Sequence, residues 1–253
     1  MSPIPGAAPA WSPAEASDPE AISARLEAHG VRLEPDEVGL LERQLGRPPT
    51  WAEAVLFGIQ WSEHCSYKST RHLLERLPAR APQVILGPGE DAGVVALPAP
   101  CEDVALVLAH ESHNHPSQVL PVEGAATGIG GIVRDVACMG AEVVGVLDAL
   151  RFGDPRASVH ARDVARGVVQ GVADYGNALG VPNLGGDAVF DAGYDDNCLV
   201  NVMAVGLAPR DGIVRSRVPE GEGPWAFVLV GKPTDDSGLG GASFASGELG
   251  GDQ

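Results

Sequence analysis

The chain has 253 residues, 34 of them acidic and 17 basic, giving a formal charge of −17 and a pI near 4.6. Apolar residues make up 44% and charged residues 20%, a composition that can bury a core and is not that of a disordered chain. The acidic surplus excludes a general nucleic-acid binder, which needs clustered Lys and Arg, but not a small phosphorylated ligand held by backbone amides and Mg²⁺.

No apolar run approaches the roughly 18 residues of a membrane-spanning helix, so no membrane association is expected. The N-terminus has no basic stretch followed by an apolar one, as a secretory signal would. Cys65, Cys101, Cys138 and Cys198 are widely spaced, with no C-x-x-C. That pattern fits a reducing, cytoplasmic setting without disulfides.

Residues 1–17, rich in Pro, Ala and Ser, read as a mobile tail. Residues 18–78 read as a helical segment. Asp18-Pro19 starts a helix that Gly30 closes, and Thr50-Trp51-Ala52-Glu53 is a capping box whose helix runs towards Trp61 and Glu63. Pro78 and Pro82 end this part.

Residues 79–209 change texture. Val84-Ile85-Leu86, Val94 to Leu97 and Val104 to Leu108 read as strands, Pro121 opens a helix that ends near Gly140, and Val143 to Leu147 is a further strand. Val164, Val168, Val172, Tyr175 and Leu179 mark an amphipathic helix stopped by Gly180. Cys198 to Gly206 is β-rich, and after Pro209-Arg210-Asp211-Gly212 a strand is expected through Trp225 to Val230. Strands alternating with long helices predict an α/β or layered α+β fold. Residues 210–253 read as the start of another domain, and the chain as a fragment of a longer one.

Three stretches carry chemistry. In His110-Glu111-Ser112-His113-Asn114-His115-Pro116, three histidines follow a predicted strand, where α/β proteins place ligands. Imidazoles move protons near neutral pH, and Glu111 is a hard oxygen donor suited to Mg²⁺. Continued alternation would put His113 and His115 on one face and Ser112 and Asn114 on the other. A solvated polar loop, or a zinc site on His110, His113 and His115, are the rival readings.

In Thr127-Gly128-Ile129-Gly130-Gly131-Ile132-Val133-Arg134-Asp135, glycines allow close backbone approach, Arg134 can grip an anion and Asp135 can hold Mg²⁺. A structural Arg–Asp ion pair is the alternative. In Trp61-Ser62-Glu63-His64-Cys65-Ser66-Tyr67-Lys68, a base, a thiol, a phenol and an ammonium share a helix end. Neighbouring helical residues point about 100° apart, so Cys65 reads as a buried structural thiol rather than a nucleophile paired with His64. The loops Gly87 to Gly93 and Leu184-Gly185-Gly186-Asp187 end on acidic groups that could hold Mg²⁺ or merely close turns.

The order S-E-H-C-S-Y-K, G-x-x-D-A-G-V, E-S-H-N-H-P-S, G-x-G-G-I-x-R-D, V-P-N-L-G-G-D and L-G-G-A-S-F-A-S resembles the synthetase subunit of phosphoribosylformylglycinamidine synthase over roughly residues 50–250. The resemblance covers the first half of a chain built from two homologous halves. It implies an aminoimidazole-ribonucleotide-synthetase-like N-terminal domain preceded by a helical segment and followed by a second α/β domain.

It also implies an activity. ATP would phosphorylate the amide oxygen of formylglycinamide ribonucleotide, and ammonia would displace the phosphate from the iminophosphate. The partners implied are a glutaminase subunit that supplies the ammonia and a small bridging subunit. By motif position, His64 and His113 would be catalytic, with His113 the proton acceptor. Tyr67 would contact ATP, Ser112, His113, Asn114, His115 and Arg134 would bind the ribonucleotide, and Glu111 and Asp135 would hold Mg²⁺. Two stretches depart from the family's pattern. Ala109 stands where a lysine usually contacts ATP, and Asp235 to Ala242 replaces a G-R-D-G-I-H-G-A stretch. A nucleotide-binding module without catalysis is therefore a second reading.

Overall fold

The computed structural model describes residues 11–12, 15–218, 220–221, 223–226, 228–231, 241 and 245. The chain divides into two compact units, one formed mainly by the residues up to Leu77 and the other by Pro78–Val230.

The first unit is helical, and its helices begin where local chemistry starts them. In α1 (Pro19–Glu27) the Asp18 carboxylate accepts from the Glu20 amide, 3.0 Å. In α2 (Pro35–Leu45) the Glu37 side chain accepts from the Glu34 amide, 2.9 Å, and Gly46 ends the helix at φ 68°. In α3 (Trp51–Gln60) Thr50 and Glu53 cap each other reciprocally. Arg47 grips the same Glu53 carboxylate at 2.7 and 2.8 Å and helps pull its pKa down to about 2. Short helices α4 (Glu63–Ser66) and α5 (Arg71–Leu74) follow.

The core of this unit is Ile22, Leu26, Leu33, Val38, Leu41, Trp51 and Ala54. Part of the expected tail is packed here. Trp11 lies 5.3 Å from the Trp51 ring, and its indole N–H donates to the Pro49 carbonyl, 2.7 Å. An apolar ring with one polar edge finds both kinds of partner, and this outweighs the composition around it. Residues 1–10 and 13–14 lie outside the described residues.

The second unit is a six-stranded sheet. Its elements in chain order are β1 (Val84–Leu86), β2 (Gly93–Ala96), β3 (Val104–Ser112), α6 (Asn114–Val119), α7 (Pro121–Cys138), β4 (Glu142–Phe152), α8 (Val159–Leu179), β5 (Asn183–Phe190) and β6 (Leu199–Pro209). The strand order is β1-β2-β3-β6-β4-β5, and only β4 and β5 run parallel, joined by α8. Strand alternation sends Ala105, Val107, Ala109, Val200, Val202 and Ala204 into a buried core with Ile129, Ile132 and Val136 of α7. Val164 and Val168 of α8 are also buried, whereas Tyr175 and Leu179 are exposed. This is the layered α/β arrangement expected.

Three expectations need correction. Leu184-Gly185-Gly186-Asp187 is not a loop but part of edge strand β5. Glycine is needed there because a Cβ on Gly186 would stand 1.9 Å from the Asp148 carbonyl oxygen. Strand β3 does not stop at Leu108 but runs on to Ser112 alongside β6. Among the described residues of Trp225 to Val230 there is no strand, and a strand requires a partner for its ladder.

Candidate functional site

Register fixes what the end of β3 presents. Glu111 pairs with Val202 and therefore points to the helix-covered face, whereas His110, opposite Met203, and Ser112, opposite Asn201, point to the other. The alternation ends there, because Asn114 already opens α6. Asn114 and His115 consequently do not sit in the two-faced pattern the sequence suggested. His110 stands on the opposite face from Glu111, and no group of three or more His, Cys, Asp or Glu among the described residues converges on a metal position. A three-histidine zinc site thus has no geometric basis among those residues.

Helix α7 receives this segment on a stripe of glycines. A Cβ on Gly124 would lie 2.5 Å from the Ser117 nitrogen, one on Gly128 3.1 Å from the His113 Cβ, and one on Gly131 2.8 Å from Glu111 Oε1. The positions are four and three residues apart, so they share one helix face. The loop runs along that face with Glu111 nearest the end of α7 that carries Arg134 and Asp135. Missing side chains on the helix make room for the end of the strand and the turn that follows it.

The charges meet at that end. Burial, foremost, and the charge of Asp135 raise the Glu111 carboxyl above its ordinary range, with Arg134 pulling the other way. Burial, then Asp91, raises Asp135, again opposed by Arg134. Asp91 belongs to the Gly87–Gly93 turn and accepts from the Ser216 hydroxyl, 2.8 Å. Arg134 is exposed and its side chain forms no ion pair or hydrogen bond among the described residues, so the structural Arg–Asp pair is not observed. Partly desolvated carboxylates that repel one another, beside a cation with open donors, make a place for a divalent cation and an anion together. Mg²⁺ fits this donor set: it takes one or two carboxylates and fills its octahedron with water and phosphate oxygens.

In the helical unit, α4 carries the S-E-H-C-S-Y-K stretch. Ser62 caps it, and Glu63 accepts from the Ser69 amide at 2.8 Å and the Thr70 hydroxyl at 2.7 Å, which holds its pKa down. Lys68 is tied to Glu37, 2.7 Å. His64, Cys65 and Tyr67 are exposed. Cys65 is thus not the buried thiol expected, because a single capped turn buries only Ser62. Tyr67 is the one non-glycine among the described residues with positive φ, 51°. A bulky residue in that region is strained, and such strain gathers at functional positions.

Two features escaped sequence reasoning. The Asn114 and Gln118 side chains bind the backbone of the segment before and at the start of β6, with no local motif to announce it. A cavity of about 270 Å³ also opens between α8 and strands β4 and β5. Its polar lining is Asp148, Asn177 and Asn183. Burial, foremost, raises the Asp148 pKa, although Asn183 donates to it at 2.5 Å.

The sequence profile of the AIR synthase related protein, N-terminal domain, matches residues 89–208. That of the formylglycinamide ribonucleotide amidotransferase linker domain matches residues 22–68. The PurL subunit of phosphoribosylformylglycinamidine synthase from Methanothrix thermoacetophila is 54% identical over 233 residues, covering 90% of this chain and 30% of that protein. The subunit of the same name from Thermosynechococcus vestitus is 47% identical over 231 residues, 91% of this chain and 29% of that protein. The chain thus spans about 30% of the length of these curated relatives.

Among solved structures, T. maritima PurL complexed with ADP is 40% identical with a TM-score of 0.60, over 72% of this chain and 28% of that one. The same protein complexed with FGAR is 40% identical with a TM-score of 0.57, over 70% and 26%. The linker and synthase-domain profiles match in that order, and about half of the aligned residues are identical to those of these PurL subunits of phosphoribosylformylglycinamidine synthase.

Proposed function

We propose that this chain supplies part of an enzyme that makes formylglycinamidine ribonucleotide from formylglycinamide ribonucleotide, ATP and ammonia in purine biosynthesis. The observation that carries the reading is the meeting of Glu111, Asp135 and Arg134 where β3 crosses the glycine face of α7. Arg134 holds the anionic ribonucleotide with its planar fork. Ser112, His113, Asn114 and His115 line the same ligand, and His113 accepts the proton that ammonia releases as it attacks. Glu111 and Asp135 hold Mg²⁺, which when bound neutralises charge on the transferring phosphoryl group. Of the ATP contacts, Tyr67 is one, and His64 acts beside it; both roles rest on the family motif and on the exposure and strain at this turn.

The ammonia comes from a glutaminase subunit, with a small bridging subunit between the two, and the assembly is cytoplasmic. The solved relatives named for ADP, ATP and FGAR support the ligand classes, and one named PurLQS supports a multi-subunit assembly. No helix of the described residues is long and apolar enough to cross a membrane.

A calorimetric titration of the chain with formylglycinamide ribonucleotide in Mg²⁺ tests the reading. Saturable binding by a zinc-free preparation is expected. A folded, zinc-free chain that takes up nucleotide but never ribonucleotide would favour the non-catalytic module instead.

A further inference from the structure

Past Ser112 the backbone of β3 leaves the ladder it shares with β6. Its last main-chain bond is from the His113 N–H to the Val200 carbonyl, 2.8 Å. The returning bond of an antiparallel pair would run from the Val200 N–H to the His113 carbonyl. That carbonyl instead accepts from the Ser117 hydroxyl, 2.5 Å. Side chains of α6 take over the ladder. Asn114 Oδ1 accepts from the Val200 N–H and Gln118 Oε1 accepts from the Cys198 N–H, each at 2.8 Å. Residues four apart on a helix lie on one face, and amides two apart on an extended strand point the same way, so the two spacings match.

The Gln118 amide can sit in only one orientation. Its oxygen faces a backbone donor, so its nitrogen donates to the Asp195 carbonyl, 3.2 Å, and faces His160 Nε2 at 3.1 Å. An amide nitrogen cannot accept, so His160 Nε2 must, and the ring proton lies on Nδ1. His160 is the second residue of α8.

We propose that Gln118 is a positioning residue of the site: with Asn114 it forms a side-chain ladder that fixes where His113 stands against Gly128. It touches no ligand and acts through His113, so its effect on turnover rests on the functional reading above.

In the intact synthetase subunit that carries this sequence, Gln118→Leu is expected to lower kcat/KM for the ribonucleotide roughly 10- to 100-fold while KM for ATP stays put. In a His113→Ala background, read as ribonucleotide affinity by calorimetry because turnover is gone, the same substitution should cost nothing further, which a merely structural role would not produce. Gln118→Glu keeps the acceptor for the Cys198 N–H and lets His160 turn to its Nε2–H form but gives up the bond to the Asp195 carbonyl, so it should restore part of the rate. Unchanged kcat/KM in Gln118→Leu, or a further loss of ribonucleotide affinity on top of His113→Ala, overturns the proposal.

Imidazole ¹⁵N shifts of His160 in the unaltered chain give a readout independent of activity and of how the variants fold. An Nδ1–H signature is required, and an Nε2–H signature overturns the network. A subunit that shows the Nδ1–H signature yet never turns over the ribonucleotide would sink the functional reading while leaving the ladder standing.

Discussion

Arg134 carries the clearest expectation among single residues. It is exposed, lies beside two carboxylates whose pKa values it lowers, and has no ion pair among the described residues. Replacing it with alanine should weaken ribonucleotide binding roughly 10- to 100-fold, the worth of charge-assisted hydrogen bonds to an anion. Titration calorimetry reads this directly, and an unchanged Kd would remove the anion role. His113→Ala should abolish turnover of the intact subunit and leave it folded, as judged by ammonia-dependent activity beside circular dichroism.

The raised carboxyls of Glu111 and Asp135 make stability depend on pH in a definite direction. Above the ordinary carboxylate range the folded chain still holds protons that the unfolded chain has released. Bound protons are then more numerous in the folded state, so stability falls as pH rises from that range through the raised values. Glu111→Gln should flatten this fall and stabilise the metal-free chain at neutral pH. Thermal unfolding between mildly acid and neutral pH checks it, and a variant with the parent's profile would contradict the assignment.

At the scale of elements, α7 is built to be approached. Gly124 meets backbone atoms at 2.5–2.6 Å, which cannot yield, whereas Gly131 meets only the far end of the Glu111 side chain. Gly124→Ala should therefore destabilise the fold by about 1–3 kcal/mol or more, the cost of overpacking. Gly131→Ala should barely alter stability but displace the Glu111 carboxylate and weaken Mg²⁺ dependence. Chemical denaturation and a Mg²⁺ titration separate the two outcomes. The G-x-G-G pattern announced close approach, yet only the tertiary contacts tell that Gly130 faces Tyr175 while Gly131 faces Glu111.

The sheet shows the same division. The periodicity of α8 and the capping signals of α1 and α3 were legible because each depends on neighbours within a turn. Strand β5 was not. Its glycines read as a turn because what they accommodate is Asp148 on another strand.

For the whole molecule, a charge of −17 opposes the approach of an anionic ribonucleotide. The screening length shrinks from about 30 Å at 0.01 M salt to about 8 Å at 0.15 M. Association at fixed Mg²⁺ should therefore speed up across that range, opposite to the behaviour of a basic phosphate binder. Stopped-flow rates decide this, and a rate that falls with salt would mean the local field of Arg134 outweighs the global charge.

The sequence by itself determined the residue types of the site, the two long helices α7 and α8, and the layered class of the fold. Those follow from donor chemistry and short-range periodicity, which the chain carries locally. The motif order also carried the family resemblance, which the matched profiles and relatives bear out. Only the tertiary structure decided which way Glu111 faces, because that depends on β3 extending to Ser112 in register with β6. It alone placed Asn114 and Gln118 on the backbone at and just before β6, a partnership across about 80 residues that no local pattern encodes. It alone set Glu111 and Asp135 within each other's field, since burial and Coulomb repulsion arise only once strand and helix are packed.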